Sequence, residues 1–195
     1  MGKKIMKVGL DMSIKSTGVC IDIDGYKKLF LFVDEELKGN KIIEGVEYIV
    51  YNRRLPKDFS HIDMDMVKLM SYESLADKIL MKIIEFKDIY KISNDDVLLF
   101  FERPSLQSKG QASLEIPITN AIIRRKLLSI FNIGNFKGYP PSSLKKAFTG
   151  NGRASKDEMF EEYNKRPHLP KLIQKIKTAK IDDIVDAVAL IEINS

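Results

Sequence analysis

The chain has one cysteine, two histidines and no long apolar run among its 195 residues. A lone cysteine, Cys20, inside an apolar strand-like segment excludes a disulfide framework. His61 and His168 fall in no metal-ligand spacing and read as surface residues. Behind the basic start Met1-Gly2-Lys3-Lys4, the apolar run is broken by Lys7 and Asp11, too short for a signal peptide or a membrane span. No internal repeat, low-complexity tract or second domain is visible. The expectation is a soluble, cytoplasmic protein with one domain over residues 1–195 and no membrane partner.

What is present is a chain 44% hydrophobic, enough for a core that needs no staples. The net charge of +5 conceals an asymmetry. Residues 1–102 carry 16 Lys+Arg against 18 Asp+Glu, residues 103–180 carry 16 against 5, and residues 181–195 carry none against 4. The basic stretch is either a solvated face or a surface across which a polyanion is drawn.

Periodicity supplies the elements. Residues 5–11, 17–24 and 28–33 read as a strand meander, with 45–51 as a possible added strand and 52–61 as loop. Apolar residues from Met64 to Tyr90 recur at spacings of three and four, the mark of an amphipathic helix. Met64, Met66, Met70 and Met81 are assigned to its core face. The unbroken run Val97–Phe101 reads as a central strand covered on both faces. A helix over about 113–131 follows, started or kinked at Pro117. Then come a short strand at 136–139, a helix at 142–148, a helix capped by Ser155 and Glu158, and a terminal helix over 181–190. The order implies an α/β fold around a mixed sheet.

Four acids stand where such elements end. Asp11 closes the first strand, Glu102 closes the central one, and Asp183 and Asp186 sit three residues apart on one face of the terminal helix. Carboxylates emerging from buried elements are costly unless a cation meets them, and magnesium suits their hard oxygens. Three positions have a plainer reading: Asp11 caps a turn, Glu102 pairs with Arg103, and Asp182 or Asp183 caps the helix, whereas Asp186 is harder to explain without a metal. The Asp11 hairpin alone also suits sugar kinases and actin-like ATP-binding domains. For Gly150-Asn151-Gly152, the glycines would let backbone N–H groups approach a phosphate.

Taken together, the chain resembles the RuvC family of Holliday-junction resolvases, within the RNase H-like superfamily. The resemblance rests on Gly9-Leu10-Asp11, Glu102, Asp183-Ile184-Val185-Asp186-Ala187-Val188-Ala189-Leu190 and the stretch Leu144–Lys156. It implies an RNase H-like fold with a mixed five-stranded central sheet, helices on both faces and a divergent insertion around 34–60. It further implies a Mg²⁺- or Mn²⁺-dependent endonuclease, with two ions per site, that cuts four-way junctions or other branched DNA to 5′-phosphate and 3′-hydroxyl ends. Asp11, Glu102, Asp183 and Asp186 match the metal ligands. Lys156 matches a catalytic lysine, and Lys145, Lys146, Gly150, Gly152, Arg153 and Lys156 lie in the DNA-contacting stretch. Lys165, Arg166, Lys171, Lys175, Lys177 and Lys180 extend a phosphate-contacting face. A homodimer is implied; the apolar residues Ile122, Ile123, Leu127, Leu128 and Ile130 of the helix around 118–131 are read either as its interface or as packing on the sheet. Bacterial cytosol, or host cytosol for a phage protein, is the expected setting. Nucleases of the same fold that cut flaps or RNA·DNA hybrids are the near alternative. The chain departs from the family after Glu102, where Arg103-Pro104-Ser105-Leu106-Gln107 replaces an aromatic that enters the junction centre in several resolvases.

Overall fold

Alternation decides which way each strand faces. In β1 (Met6–Met12), Met6, Val8, Leu10 and Met12 are buried in one core layer, which turns Lys7, Gly9 and Asp11 to the other side. In β5 (Val97–Glu102), Val97, Leu99 and Phe101 join that same layer, and Leu98, Phe100 and Glu102 face away from it. Both acids therefore lie on one face of the sheet, by parity.

The computed structural model describes residues 3–13, 16–34, 44–51, 61–103, 112–172 and 181–194. Its sheet has six strands in the order β4-β3-β2-β1-β5-β6, where β2 is Ser16–Ile23, β3 Tyr26–Val33, β4 Val46–Val50 and β6 Phe136–Tyr139. β1, β2 and β3 pair antiparallel, as the meander predicts, and β5 and β6 add parallel beside β1. Five strands were expected; the sixth is β4. It pairs parallel to β3, with Leu29 opposite Val46, and the pairing continues as Tyr51 N–H donates to the Val33 carbonyl at 2.9 Å. Hydrogen bonds to this segment from Lys78 and Ser74 tie it to the first helix, as does the Lys82–Glu47 ion pair at 3.2 Å. Residues 52–60, expected as loop, lie outside the described residues.

One face of the sheet is covered by α1 (His61–Ile89) and α2 (Ala112–Leu128), the other by α3 (Pro141–Thr149), α4 (Lys156–Asn164) and α5 (Ile181–Glu192). Helices on both faces are what an apolar central strand requires. Pro117 lies within α2. α4 opens with the predicted capping box: Ser155 Oγ accepts from Glu158 N–H, and Glu158 accepts from Ser155 N–H at 2.6 Å.

Two expectations are corrected here. Met66, Met70 and Met81 are 57%, 68% and 68% exposed, so they are not core residues. The buried stripe Leu75, Ala76, Ile79, Leu80 and Ile83 meets the sheet, with Phe86 edge-on to Phe30 of β3 at 5.5 Å, and the methionines lie off that face. On α2, Ile123 and Leu127 are fully buried in the core beneath the sheet and are not available to a partner. Leu114, Ile118 and Leu128 are the exposed apolar residues of that helix.

Candidate active site

Two backbones in contact set the site. A β-carbon on Gly9 would clash with the carbonyl of Ala187, and one on Gly18 with the carbonyl of Asp183. Helix α5 therefore lies directly on the β1–β2 ladder, closer than any side chain would allow. Gly18 is the cross-strand partner of Asp11, so this contact sets the first turn of α5 beside Asp11. On the other flank of β1, Leu10 stands opposite Phe101, which brings Asp11 and Glu102 to the ends of neighbouring strands. The four predicted acids share one end of the sheet.

Their electrostatics confirm the proximity. Burial raises Asp11 well above the ordinary carboxylate range, and the charges of Asp183, Asp186 and Glu102 add to the rise against the offset of Lys156. Burial pushes Glu102 up to about 7, with Asp186 adding and Lys145 opposing. Asp183 is also raised by burial to about 7, although the Ser16 hydroxyl donates to its Oδ2 and Lys156 lies near. Burial raises Asp186 to about 6, helped by Asp182 and opposed by Lys145 and Lys156. Each acid keeps part of its surface open to water, so the cluster is a lined recess and not a sealed core. Among the described residues no three Asp, Glu, His or Cys side chains converge tightly enough to enclose an ion as they stand. The donor set itself is all oxygen, anionic and short of cations, the chemistry that Mg²⁺ or Mn²⁺ accepts.

The two predicted lysines both face this recess, and each has a hold on the protein. Lys156, first residue of α4, bridges to Asp182 at 2.6 Å. Asp182 is thus the direct partner of Lys156, while its charge still adds to the rise of Asp183 and Asp186. Lys145 donates to the Ala154 carbonyl at 2.7 Å and so closes the turn between α3 and α4. Gly150 caps α3 with φ of 82°, a left-handed conformation that accounts for glycine there without any ligand. Lys146 and Arg153 are exposed on the same turn. Pro104 to Gln107, Lys175, Lys177 and Lys180 lie outside the described residues.

Sequence reasoning missed three contributors. Ser16, Arg124 and the network at the far end of α5 carry no local signal, because each acts on a residue distant in sequence. Arg124 Nη2 donates to the Glu102 carbonyl at 3.3 Å, bracing the strand end that presents the acid. At the far end of α5, Lys27 bridges Asp22 at 3.1 Å and Glu192 at 3.0 Å, and Glu192 also meets Arg166 at 3.4 Å and His168 at 2.9 Å. No helix among the described residues is long and apolar enough to cross a membrane.

No family model matches the chain. It is 25% identical over 112 residues to the crossover junction endodeoxyribonuclease RuvC of Helicobacter acinonychis (strain Sheeba), a match covering 55% of this chain and 59% of that protein. The chain thus matches less than two thirds of that relative's length. Two solved structures share the architecture. Thermus thermophilus RuvC gives a TM-score of 0.52 at 12% identity, and T. thermophilus RuvC in complex with Holliday junction substrate gives 0.54 at 11%. Each alignment covers 97% of this chain and 94% of the other. The expected strand count aside, the fold is the expected one, shared with these two RuvC structures.

Proposed function

We propose that this protein is a divalent-metal-dependent endonuclease that nicks branched DNA, four-way junctions foremost, through a single nuclease domain. The observation that carries the reading is the seating of α5 on Gly9 and Gly18, which collects four carboxylates at one sheet end opposite two lysines from the basic segment. The relative's name and the junction-bound RuvC structure point to the same substrate class.

In this reading Asp11, Glu102, Asp183 and Asp186 would hold two Mg²⁺ or Mn²⁺ ions, whose chemistry when bound would be water activation and charge stabilisation at the leaving oxygen. Ser16 fixes the rotamer of Asp183 through its hydroxyl. Asp182 holds Lys156 at the rim, where its ammonium meets the attacked phosphate as charge develops there. Lys145, tied to the Ala154 carbonyl, keeps the α3–α4 turn closed so that Lys146, Gly150, Gly152 and Arg153 present one surface to the DNA backbone. Recognition then rests on DNA shape more than on base edges. A homodimer places two such sites on a two-fold junction; the exposed Leu114, Ile118 and Leu128 of α2, with Met66, Leu69 and Met70 of α1, supply an apolar surface for it. A cytoplasmic setting follows from this substrate.

The test is incubation of wild type, Asp11→Asn and Asp186→Asn with end-labelled four-way junction, flap, duplex and RNA·DNA hybrid in Mg²⁺. Nicking of the junction by wild type alone, with both variants still binding it, supports the proposal. No nicking of any substrate, or a variant that cuts as well as wild type, overturns it. Preference for the hybrid would move the assignment to a ribonuclease of the same fold.

A further inference from the structure

Lys145, Lys146, Arg153 and Lys156 belong to α3, α4 and the turn between them, on the α5 side of the sheet. A second cationic pair lies on the opposite side of the same sheet end. Arg103 follows Glu102, and its side chain runs over Gly138 of β6, with Nε 3.2 Å from where a β-carbon of that glycine would sit. Gly138 is paired with Phe101, whose ring belongs to the α1/α2 core layer. Arg124, on α2, reaches this place from below: its Cζ lies 4.8 Å from the Phe101 ring centroid, and its Nη2 donates to the Glu102 carbonyl. Arg103 is exposed and Arg124 half-buried.

Neither guanidinium forms an ion pair with a carboxylate among the described residues, and Arg124 Nε is buried there with no hydrogen-bond partner. Burial lowers the pKa of Arg124, and the charge of Arg103 lowers it further. Two like charges so placed oppose each other unless an anion joins them. Guanidinium forks match a phosphate in shape and charge, and Arg124 is already oriented by its bond to the strand end.

We propose that Arg103 and Arg124 form a binding site for one backbone phosphate of the nucleic acid, on the face of the sheet opposite the four carboxylates. The identity of the ligand rests on the nuclease reading; the anion site itself does not. A strand arriving over the end of β5 then meets the carboxylates on one side and the arginine pair on the other, with Glu102 and Arg103 as adjacent residues between them. The pair positions DNA and takes no part in the chemistry.

The test is binding of a four-way junction over a salt series in EDTA, so that nothing is cut. Arg103→Gln and Arg124→Gln should each flatten the slope of log K against log salt, and the double variant should flatten it by about 0.9, the value for one lost phosphate contact. Arg103→Gln should raise KM with kcat little changed in Mg²⁺. Junction binding with the wild-type slope in both variants overturns the site while leaving the nuclease reading intact. A second arm needs no nucleic acid: inorganic pyrophosphate should raise the melting temperature of wild type and not that of the double variant. That shift, seen in a protein that binds no junction, supports the anion site and sinks the nuclease reading instead. An equal pyrophosphate shift in wild type and double variant overturns the site.

Discussion

The two ends of α5 hold acids in opposite ways. At its C-terminal end, Glu192 is met by Lys27, Arg166 and His168, and Asp22 by Lys27 and by the Gly25 N–H at 2.8 Å. Burial pushes Glu192 up, but its bonds to His168 and Lys27 outweigh that and leave it below its ordinary value. At the N-terminal end, four acids face Lys145 and Lys156, and all four are raised. One helix on one layer of the sheet carries a settled network at one end and an unsettled one at the other. Charge balance, more than the number of acids, separates the part that holds the fold from the part that awaits a ligand.

The largest effect expected is on the unsettled end. Asp11→Asn or Asp186→Asn should lower the single-turnover nicking rate on the order of 10³-fold or more. The same changes should make the metal-free protein more stable in urea at pH 8, because a repelling charge is removed. Lower stability there would break the contrast between the two ends. Next, Lys27→Met should cost roughly 3–5 kcal/mol, since it leaves Asp22 buried without the cation it shares with Glu192. Urea denaturation reads it directly, and a loss under about 1 kcal/mol would mean the C-terminal network is no more structural than a surface pair.

Gly18→Ala is expected to cost roughly 1–3 kcal/mol through overpacking, and to reduce nicking more than that loss explains, because the first turn of α5 must lift away from Asp11. Stability lost with nicking retained in the folded fraction would show that the acids do not depend on this contact. The last prediction is a pH dependence. Asp183 and Asp186 bind protons more tightly folded than unfolded, so their contribution is fully present below about pH 4 and is lost as pH rises through about 6 to 7. Metal-free protein should therefore lose stability across that window, and Mg²⁺ should restore it above pH 7. A rise in stability over the same range, in the metal-free protein, would contradict the assignment.

The acids at strand ends were legible in the sequence because parity and helical spacing are local rules: Asp11 and Glu102 face one way by alternation, and Asp183 and Asp186 by their i,i+3 separation. The capping box at Ser155 and Glu158 was legible for the same reason. Local rules fail where the partner is remote. The parallel pairing of β4 with β3 depends on a crossover rather than a turn, so no hairpin signal announces it. The Asp22–Lys27–Glu192 network joins a hairpin to the last helix, and nothing in either segment names the other. The methionines misled because an apolar spacing of three and four marks a stripe without saying how much of the stripe meets the sheet.

The seating of α5 on two glycines has a thermal consequence. Side-chain packing loosens gradually on heating, whereas two backbones in contact separate only when the elements themselves part. The distance between the hairpin acid and the helix acids is thus tied to the integrity of sheet and helix rather than to the tightness of the core. Nicking capacity and folded fraction should then decline along one curve as temperature rises, with no interval in which a folded protein has already lost its site.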